Sequence, residues 1–260
     1  MNIGIIGGEG FVGSGIRESL QRKNVTCLSI KRNNYQEVKG SSFDVLINAN
    51  GNSKKYLAAQ SPKEEFEASV VSVQHSLLDF TFRSYVHCSS VDVYPDHENP
   101  QRNTEASPLD LRALSPYGFH KYLAEQLVQR YAKRWLILRF GGFVGEGLKK
   151  NSLYDMLHDV PLRVHVDSRY QYLPTTEAGE VIWSLLSKQI SNEIFNVCGN
   201  GCISLREAAA SVPGYAARYA VEQPAVEQYD VNIDKLQQFC KVPKTSDSVK
   251  AFMRAYQETA

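Results

Sequence analysis

The sequence has 260 residues, enough for one large domain or for a core domain with a smaller lobe. The 29 lysines and arginines balance the 28 aspartates and glutamates, so no basic field marks a nucleic-acid or membrane partner, and we expect neither. An apolar run begins almost at Met1, which leaves no room for a signal or transit peptide. No run is long enough to span a bilayer, and we therefore expect a cytoplasmic protein.

The cysteines do not form a metal-binding pattern. Their number is odd, they include no Cys-x-x-Cys pair, and no histidine or further cysteine lies beside the closest two, Cys198 and Cys202. We therefore expect reduced thiols and no metal site.

Short apolar runs alternate with longer helical patterns along the first half of the chain. The predicted strands cover residues 2–7, 25–30, 43–48, 85–90, 135–139 and 194–198. The predicted helices cover residues 11–23, 63–83, 116–133 and 176–188, and a Ser-x-x-Glu capping box at Ser204 opens another. This alternation predicts an α/β protein with a parallel sheet that helices cover on both faces.

A glycine-rich turn follows the first predicted strand and opens the first predicted helix. It reads Gly-Gly-Glu-Gly-Phe-Val-Gly, from Gly7 through Gly10, Phe11 and Val12 to Gly13. At these places the glycines allow a tight turn, a close approach of a pyrophosphate and close helix–strand packing, and the helix amides face the anion. A plain strand–helix turn is the alternative, but the position within a βαβ pattern favours a Rossmann-type dinucleotide site.

The end of the second predicted strand indicates which dinucleotide is bound. An acid there binds the adenosine ribose hydroxyls and repels a 2′-phosphate, but this sequence has Ser29, Lys31 and Arg32 instead. Serine can donate to a phosphate, and the two bases can neutralise it. They can equally be solvated loop charges. We predict NADP as the cofactor, with NAD as the alternative.

Tyr117 and Lys121 are one turn apart on a predicted helix, for which Ser115 is a candidate N-cap and Pro116 a first-turn residue. A free tyrosine has a pKa near ~10, and a neighbouring ammonium favours its phenolate form. Tyr117 is then a candidate acid/base for a hydride transfer. Tyr-x-x-x-Lys alone is frequent by chance, so its interpretation depends on the surrounding motifs.

Ser90 lies at the end of the fourth predicted strand, within the segment Ser-Ser-Val-Asp-Val-Tyr-Pro. Carboxyl ends of strands line the ligand crevice of a doubly wound sheet. Ser90 is therefore a candidate for hydrogen bonding to the substrate oxygen and for stabilising charge that develops there.

With these motifs in this order, the sequence resembles the extended short-chain dehydrogenase/reductase family, which comprises nucleotide-sugar epimerases, dehydratases and keto-reductases. GGEGFVG matches the family's GGxGxxG, SSVDVYP its SSxxVYG, and YGFHK its YxxxK. LRFGGFVGEG, RYQYLPTTEAGEVI and EIFNVCGNGCISLREAA match later family segments, so the likeness covers nearly the whole chain.

The resemblance implies roles for individual residues. Tyr117 becomes the acid/base, Lys121 its ribose-binding partner, and Ser90 the serine that contacts the substrate. It also implies cofactor contacts near Asn48, Ala49 and Asn50, and a homodimer formed through the helices predicted at 63–83 and 116–133. The expected arrangement is a Rossmann domain over 1–146, rejoined by about 176–198, with a small substrate-binding lobe from 147–175 and 199–260.

The sequence departs from the family pattern at two positions. Val91 stands where family dehydratases carry an aspartate, which argues against water elimination, and Gly142 stands where many nucleotide-sugar enzymes carry an asparagine. Asn151 and Arg169 are further candidate substrate contacts, although lone polar residues are often structural or solvated.

Three functions fit these motifs. We favour an NADP(H)-dependent reductase that acts on a keto group of a nucleotide-linked sugar, since an NADP preference suits an enzyme that exchanges its cofactor. The second is a nucleotide-sugar epimerase with bound NAD(P). The third is a non-catalytic NADP-binding protein, against which the intact Ser90, Tyr117 and Lys121 argue.

Overall fold

A parallel sheet forms the centre of the molecule, for which a computed structural model describes residues 1–51, 55–212 and 214–259. The sheet strands are β1 (Asn2–Ile6), β2 (Thr26–Ile30), β3 (Ser42–Asn48), β4 (Thr81–Ser90), β5 (Trp135–Phe140) and β9 (Glu193–Val197). Within the described residues the order is β2-β1-β3-β4-β5-β9, with every pair parallel. The chain reverses direction across the sheet between β1 and β3, where doubly wound folds bind ligands.

Four short strands form two further pairs. They are β6 (Gly142–Val144), which pairs with β8 (Tyr172–Pro174), and β7 (Arg169–Tyr170), which pairs with β10 (Ile203–Ser204). The helices are α1 (Phe11–Gln21), α2 (Tyr35–Val38), α3 (Lys55–Gln60), α4 (Pro62–Phe66), α5 (Ser72–Asp79), α6 (Pro116–Tyr131), α7 (Ser152–Leu157), α8 (Thr175–Ser187), α9 (Leu205–Ala209), α10 (Asp234–Gln237) and α11 (Thr245–Thr259).

Helices cover both faces of the sheet. On one face, Ile16 of α1 and Ile182 of α8 pack with the sheet in one apolar cluster. On the other, Val73 of α5 and Val128 of α6 pack in a second cluster. The predicted fold class, a Rossmann-type doubly wound sheet with a small C-terminal lobe, is confirmed.

Glycines bring α1 and α8 unusually close together. A Cβ atom at Gly15 would lie 2.5 Å from the side chain of Thr175, and one at Gly179 would lie 2.6 Å from the Cβ of Ser19. Any side chain at either position would push the two helices apart. The helix that follows the glycine-rich turn is therefore held in place by a helix from the second half of the chain.

The helix predicted over 63–83 was wrong at its end. Helical structure runs from α4 through a π-helical turn (Glu67–Val71) into α5, which ends at Asp79, and β4 begins at Thr81 rather than at the predicted Tyr85. Thr81 pairs with Ser42 at the start of β3. Pairing along the whole length of β3 extends the strand at the expense of the helix. The predicted capping box is confirmed, since Ser204 and Glu207 exchange both hydrogen bonds.

The C-terminal lobe has its own apolar cluster. Leu153, Tyr172, Ile203, Leu205 and Met253 are buried together there. The residue boundaries predicted for the two parts, and the substrate-binding role of the lobe, stay predictions.

The described part of the chain contains neither a membrane-spanning helix nor a cluster of metal-binding side chains. No helix there is long and apolar enough to cross a bilayer. Among the described residues, no cluster of three or more histidine, cysteine or acidic side chains could hold a metal ion. The cytoplasmic location stays a prediction.

Candidate active site

The glycine-rich turn is packed so closely that its glycines are required. Gly7 has a φ of +75°, which favours glycine, and its carbonyl accepts a hydrogen bond of 2.8 Å from the amide of Gly10. A Cβ atom at Gly13 would lie 2.1 Å from that carbonyl oxygen. The first turn of α1 can pack onto the end of β1 only because residue 13 has no side chain.

The N-terminus of α1 suits an anion. Its N-cap is Gly10, which supplies no side-chain acceptor, and the first turn contains no acidic residue. The first amides of a helix, here including those of Phe11 and Val12, have no intrahelical acceptor, and the helix dipole favours negative charge at this end. These residues fit the pyrophosphate of a dinucleotide.

The end of β3 forms the opposite wall of the turn. The amide of Ala49 donates to the carbonyl of Ile6, at 3.0 Å, and a Cβ atom at Gly7 would lie 3.1 Å from the backbone nitrogen of Asn50. Asn48 is fully buried. Its amide nitrogen donates to Ser76 and Tyr85, and its oxygen accepts from the backbone of Asn50. Asn48 thus shapes this wall through Asn50, and both hydrogens of its side-chain amide are used within the protein.

The three residues predicted to bind a 2′-phosphate differ in accessibility. The hydroxyl of Ser29 is buried, has no hydrogen-bond partner among the described residues, and faces Gly8, whose Cβ would lie 2.8 Å away. It cannot reach a phosphate in this conformation, because it lies beneath the backbone of the turn. Lys31 is half-buried and Arg32 is exposed, so both can reach a ligand at this edge of the sheet.

Tyr117 and Lys121 lie on one face of α6, as predicted. Ser115 caps the helix by accepting from the amide of Gly118, at 3.1 Å. The ammonium of Lys121 lies 5.5 Å from the centre of the Tyr117 ring. A Cβ atom at Gly51, just after β3, would lie 2.8 Å from the same ammonium. Lys121 therefore lies between the tyrosine and the end of β3, beside the predicted cofactor site.

The charge of Lys121 acts on neighbouring groups of β4. Burial, and then the nearby Lys121 ammonium, lowers the pKa of His87 to about 3. Burial raises the pKa of Cys88 to about 12, although Lys121 opposes that rise. Both neighbours are therefore uncharged near neutral pH, and Lys121 supplies positive charge to the site without an anionic partner from either of them.

The hydroxyl of Ser90 is hydrogen-bonded to Asp92, which was not among the predicted site residues. This hydroxyl donates to the Asp92 carboxylate at 2.8 Å and accepts from the Asp92 amide at 3.2 Å. The carbonyl of Asp92 also lies close to α6, since a Cβ atom at Gly118 would be 2.0 Å from it. While Ser90 donates to Asp92, it offers a substrate a lone pair rather than a proton.

A cavity of about 370 Å³ opens beside Tyr117. Asp92, Lys55, His97 and Tyr229 also line it. The Lys55 ammonium lies 2.6 Å from the Asp92 carboxylate and 3.2 Å from the Tyr229 hydroxyl. Burial alone would raise the pKa of Asp92, but Lys55 and the hydrogen bond from Ser90 hold it below its ordinary value. The cavity therefore presents both a carboxylate and an ammonium to a ligand.

An acid lies next to Val91 in this site, and the expectation that the enzyme does not eliminate water stays a prediction. Val91 lacks an acid, but the next residue, Asp92, places a carboxylate in the cavity, so this site does contain an acid. The motif that contains Asp92 was recognised in the sequence, and its acidic residue could have indicated that Asp92 belongs to the site. Lys55 and Tyr229 carry no such signal, because neither belongs to a motif.

A buried ion pair attaches α6 to the sheet below the cavity. Arg139 of β5 donates to both carboxylate oxygens of Glu125 on α6, at 3.0 and 2.8 Å, and also to the hydroxyl of Tyr94 at 3.0 Å. Ser89 donates to the same carboxylate at 2.6 Å. The helix that carries Tyr117 is thereby fixed to the strand that carries Ser90.

Gly142 stands where many nucleotide-sugar enzymes carry an asparagine, and the structure shows a steric reason for the glycine. A Cβ atom there would lie 2.7 Å from the ring of Tyr172, which occupies the space that an asparagine would need.

The two candidate substrate contacts, Asn151 and Arg169, do not line the cavity. Asn151 caps α7 by accepting from the amide of Tyr154, at 2.9 Å, and donates to the carbonyl of Phe143, at 3.2 Å. The guanidinium of Arg169 lies 4.0 Å from Glu207, and 47% of the Arg169 side chain is exposed. The structure does not bring either residue to Tyr117.

Solved structures with the same fold include several nucleotide-sugar enzymes. One is UDP-glucuronic acid 4-epimerase from Bacillus cereus in complex with UDP-glucuronic acid and NAD, with a TM-score of 0.80, 17% identity and 100% coverage of each chain. Another is dTDP-glucose 4,6-dehydratase from Bacillus anthracis in complex with NAD, with a TM-score of 0.79, 18% identity, and coverage of 99% of this chain and 97% of that one. A third is UDP-galactose 4-epimerase, with a TM-score of 0.80, 21% identity, and coverage of 100% and 99%.

No curated protein matches the sequence significantly. The family model described as "NAD dependent epimerase/dehydratase family" matches residues 3–198. That range includes the glycine-rich turn, Ser90, Tyr117 and Lys121. The chain belongs to the NAD-dependent epimerase/dehydratase family and is an enzyme of the extended short-chain dehydrogenase/reductase type.

Proposed function

We propose that this protein is an NADP(H)-dependent reductase that acts on a keto group of a nucleotide-linked sugar. The observation that carries the proposal is the position of Tyr117. Its ring lines the cavity, and the Lys121 ammonium beside it lies next to the end of β3. An acid/base is thus placed between a space for a substrate and the predicted cofactor site.

The chain's own residues supply binding and proton transfer in this mechanism. Gly7, Gly10 and Gly13 let the backbone of the turn hold a pyrophosphate. When bound, a nicotinamide cofactor supplies the hydride. Tyr117 donates its phenolic proton to the substrate carbonyl oxygen, and the Lys121 ammonium stabilises the phenolate that results.

Ser90 acts as an acceptor in this arrangement. Its proton is held by Asp92, so its remaining lone pair can accept from a hydroxyl of the substrate, while the one proton of Tyr117 goes to the carbonyl oxygen. Lys55 holds the Asp92 carboxylate from the other side. Ser90 then orients the reacting groups, and Tyr117 alone delivers the proton.

The preference for NADP is supported by charge at the end of β2. Lys31 and Arg32 follow that strand, and residues 29–32 include no acid that would bind the ribose hydroxyls and repel a 2′-phosphate. Two of the solved structures cited above, the UDP-glucuronic acid 4-epimerase and the dTDP-glucose 4,6-dehydratase, contain NAD, which supports a nicotinamide cofactor under both alternatives. The UDP-glucuronic acid in the first of these structures also supports a nucleotide sugar as the substrate class.

The alternative function is a nucleotide-sugar epimerase, which the fold neighbours favour because several of them are epimerases. A reductase consumes NADPH in proportion to product, whereas an epimerase oxidises and re-reduces the same carbon without net consumption. We expect the purified protein to oxidise NADPH stoichiometrically with a 4-keto nucleotide sugar, measured as loss of absorbance at ~340 nm. Isomerisation without NADPH loss would establish the epimerase instead.

We further propose that the protein is a homodimer formed through α4, α5 and α6. Phe66 and Phe119 lie on either side of His120, and each is 37% exposed, which leaves an apolar surface on these helices. We expect Phe119→Glu to convert a dimer into a monomer, measured by light scattering. Val226→Glu is the matched control, since Val226 is 60% exposed in the C-terminal lobe. A wild-type monomer would contradict the proposal.

A further inference from the structure

Glu9 is a charged residue of the glycine-rich turn that the mechanism does not use. Its carboxylate lies 2.9 Å from the ammonium of Lys31 and 3.8 Å from the guanidinium of Arg17. The two cations come from different elements, since Lys31 follows β2 and Arg17 lies on α1. Glu9 therefore joins three neighbouring segments at one edge of the sheet.

This edge is where the adenosine ribose of a dinucleotide lies in doubly wound folds, outside the end of β2 and beside the turn. The backbone geometry keeps these segments together. The amide of Gly7 donates to the carbonyl of Ile30 at 2.9 Å, and the amide of Lys31 donates to the side chain of Asn34 at 2.6 Å. Lys31 and Arg17, which both lie close to the Glu9 carboxylate, are therefore at the edge of the sheet where a 2′-phosphate would be bound.

All three side chains are partly accessible, with 47% of Glu9, 38% of Lys31 and 32% of Arg17 exposed. An incoming phosphate can therefore reach the two cations. It has to displace the Glu9 carboxylate to do so, because both anions would compete for the same ammonium and guanidinium groups. The ribose hydroxyls of NAD carry no charge and face no such competition.

We infer that Glu9 sets the cofactor selectivity of this enzyme, because its carboxylate occupies the Lys31–Arg17 cation pair that the 2′-phosphate of NADP would use. The inference rests on the proposed cofactor site. It adds Arg17 to the residues that bind the phosphate, and it makes Glu9 a residue that weakens NADP binding rather than one that supports it.

The test is the affinity of the full-length protein for NADPH and for NADH, measured from the change in nicotinamide fluorescence on binding. In Glu9→Gln we expect NADPH to bind about tenfold more tightly, as for the loss of one like charge at close range. We expect NADH affinity to stay within about twofold, since NADH has no group that competes with the carboxylate. Arg17→Ala should weaken NADPH binding and leave NADH binding unchanged.

Glu18→Gln is the matched control, because it removes the same charge from the same region. Glu18 pairs with Arg22 on α1, away from Lys31. If Glu9→Gln and Glu18→Gln changed the affinity for NADPH equally, the change would be explained by net charge alone. That result would overturn the inference. It would also be overturned if Glu9→Gln left NADPH affinity unchanged, or weakened NADH binding, which would make Glu9 a ribose ligand.

The wild-type protein separates this inference from the proposed NADP preference. Tighter binding of NADH than of NADPH by the wild type would contradict the preference alone. The effect of Glu9 is given by the ratio of the Glu9→Gln affinity to the wild-type affinity, taken separately for NADPH and for NADH. This ratio does not depend on which cofactor the wild type prefers.

Discussion

Replacement of Tyr117 by phenylalanine is expected to lower turnover by about 10²–10⁴-fold, the usual contribution of a positioned proton donor. The substitution removes one oxygen atom and keeps the ring, which is 7% exposed and packed at the start of α6. Binding of the dinucleotide should persist, because the glycine-rich turn and Lys121 are unchanged. The measurement is turnover under saturating cofactor, together with cofactor affinity by fluorescence.

Tyr131→Phe is the control for this substitution. Tyr131 ends the same helix and is 45% exposed, so loss of its hydroxyl should change neither turnover nor binding. Unchanged turnover in Tyr117→Phe would remove the tyrosine from the mechanism, whereas a wild-type protein that binds the dinucleotide without any turnover would favour the non-catalytic dinucleotide-binding protein.

Replacement of Arg139 by methionine is expected to destabilise the fold by about 3–5 kcal/mol, because it leaves a buried carboxylate without its cation. The guanidinium is 4% exposed and the Glu125 side chain 0%. Since Arg139 also donates to Tyr94, the variant should lose order below the cavity as well as stability. The free energy of unfolding, from denaturant titration at neutral pH, gives the measurement.

A double variant distinguishes the cost of a lone charge from the value of the pair. Arg139→Met combined with Glu125→Met removes both charges, and we expect it to regain part of the stability lost in Arg139→Met, because no unpaired charge stays buried. Arg134→Met is the surface control, with an expected change within about 0.5 kcal/mol. A double variant less stable than Arg139→Met would contradict the expectation, because it would show that Glu125 stabilises the fold through other contacts, such as that with Ser89, even without its cation.

The sequence was sufficient for the sheet and for the turn, because both depend on local pattern. Apolar runs separated by helical spacing define each strand, and Gly13 marks the one position at which α1 packs onto the backbone of Gly7. The end of the helix before β4 was harder to predict. Its apolar spacing continues past Asp79, and only pairing with β3 shows that the strand begins at Thr81.

The site was predictable where its residues are neighbours on one element. Tyr117 and Lys121 share a helical face through their spacing, and this is local information. Lys55 and Tyr229 are 174 residues apart and meet over Asp92, so no pattern in the sequence could place them together. The ion pair between Lys31 and Glu9 was equally unpredictable from the sequence. Lys31 was treated as an available base at the predicted cofactor site, although its ammonium is paired with the Glu9 carboxylate.

The close crossing of α1 and α8 has a consequence for how the protein can be divided. Ile16 and Leu20 are covered by a helix encoded more than 150 residues later, so a fragment that stops before α8 would expose them to water. The parallel sheet with its covering helices is therefore a spatial unit without being a contiguous segment of the chain. It is completed only when the chain, after contributing residues to the apolar cluster of the C-terminal lobe, returns to the sheet and adds α8.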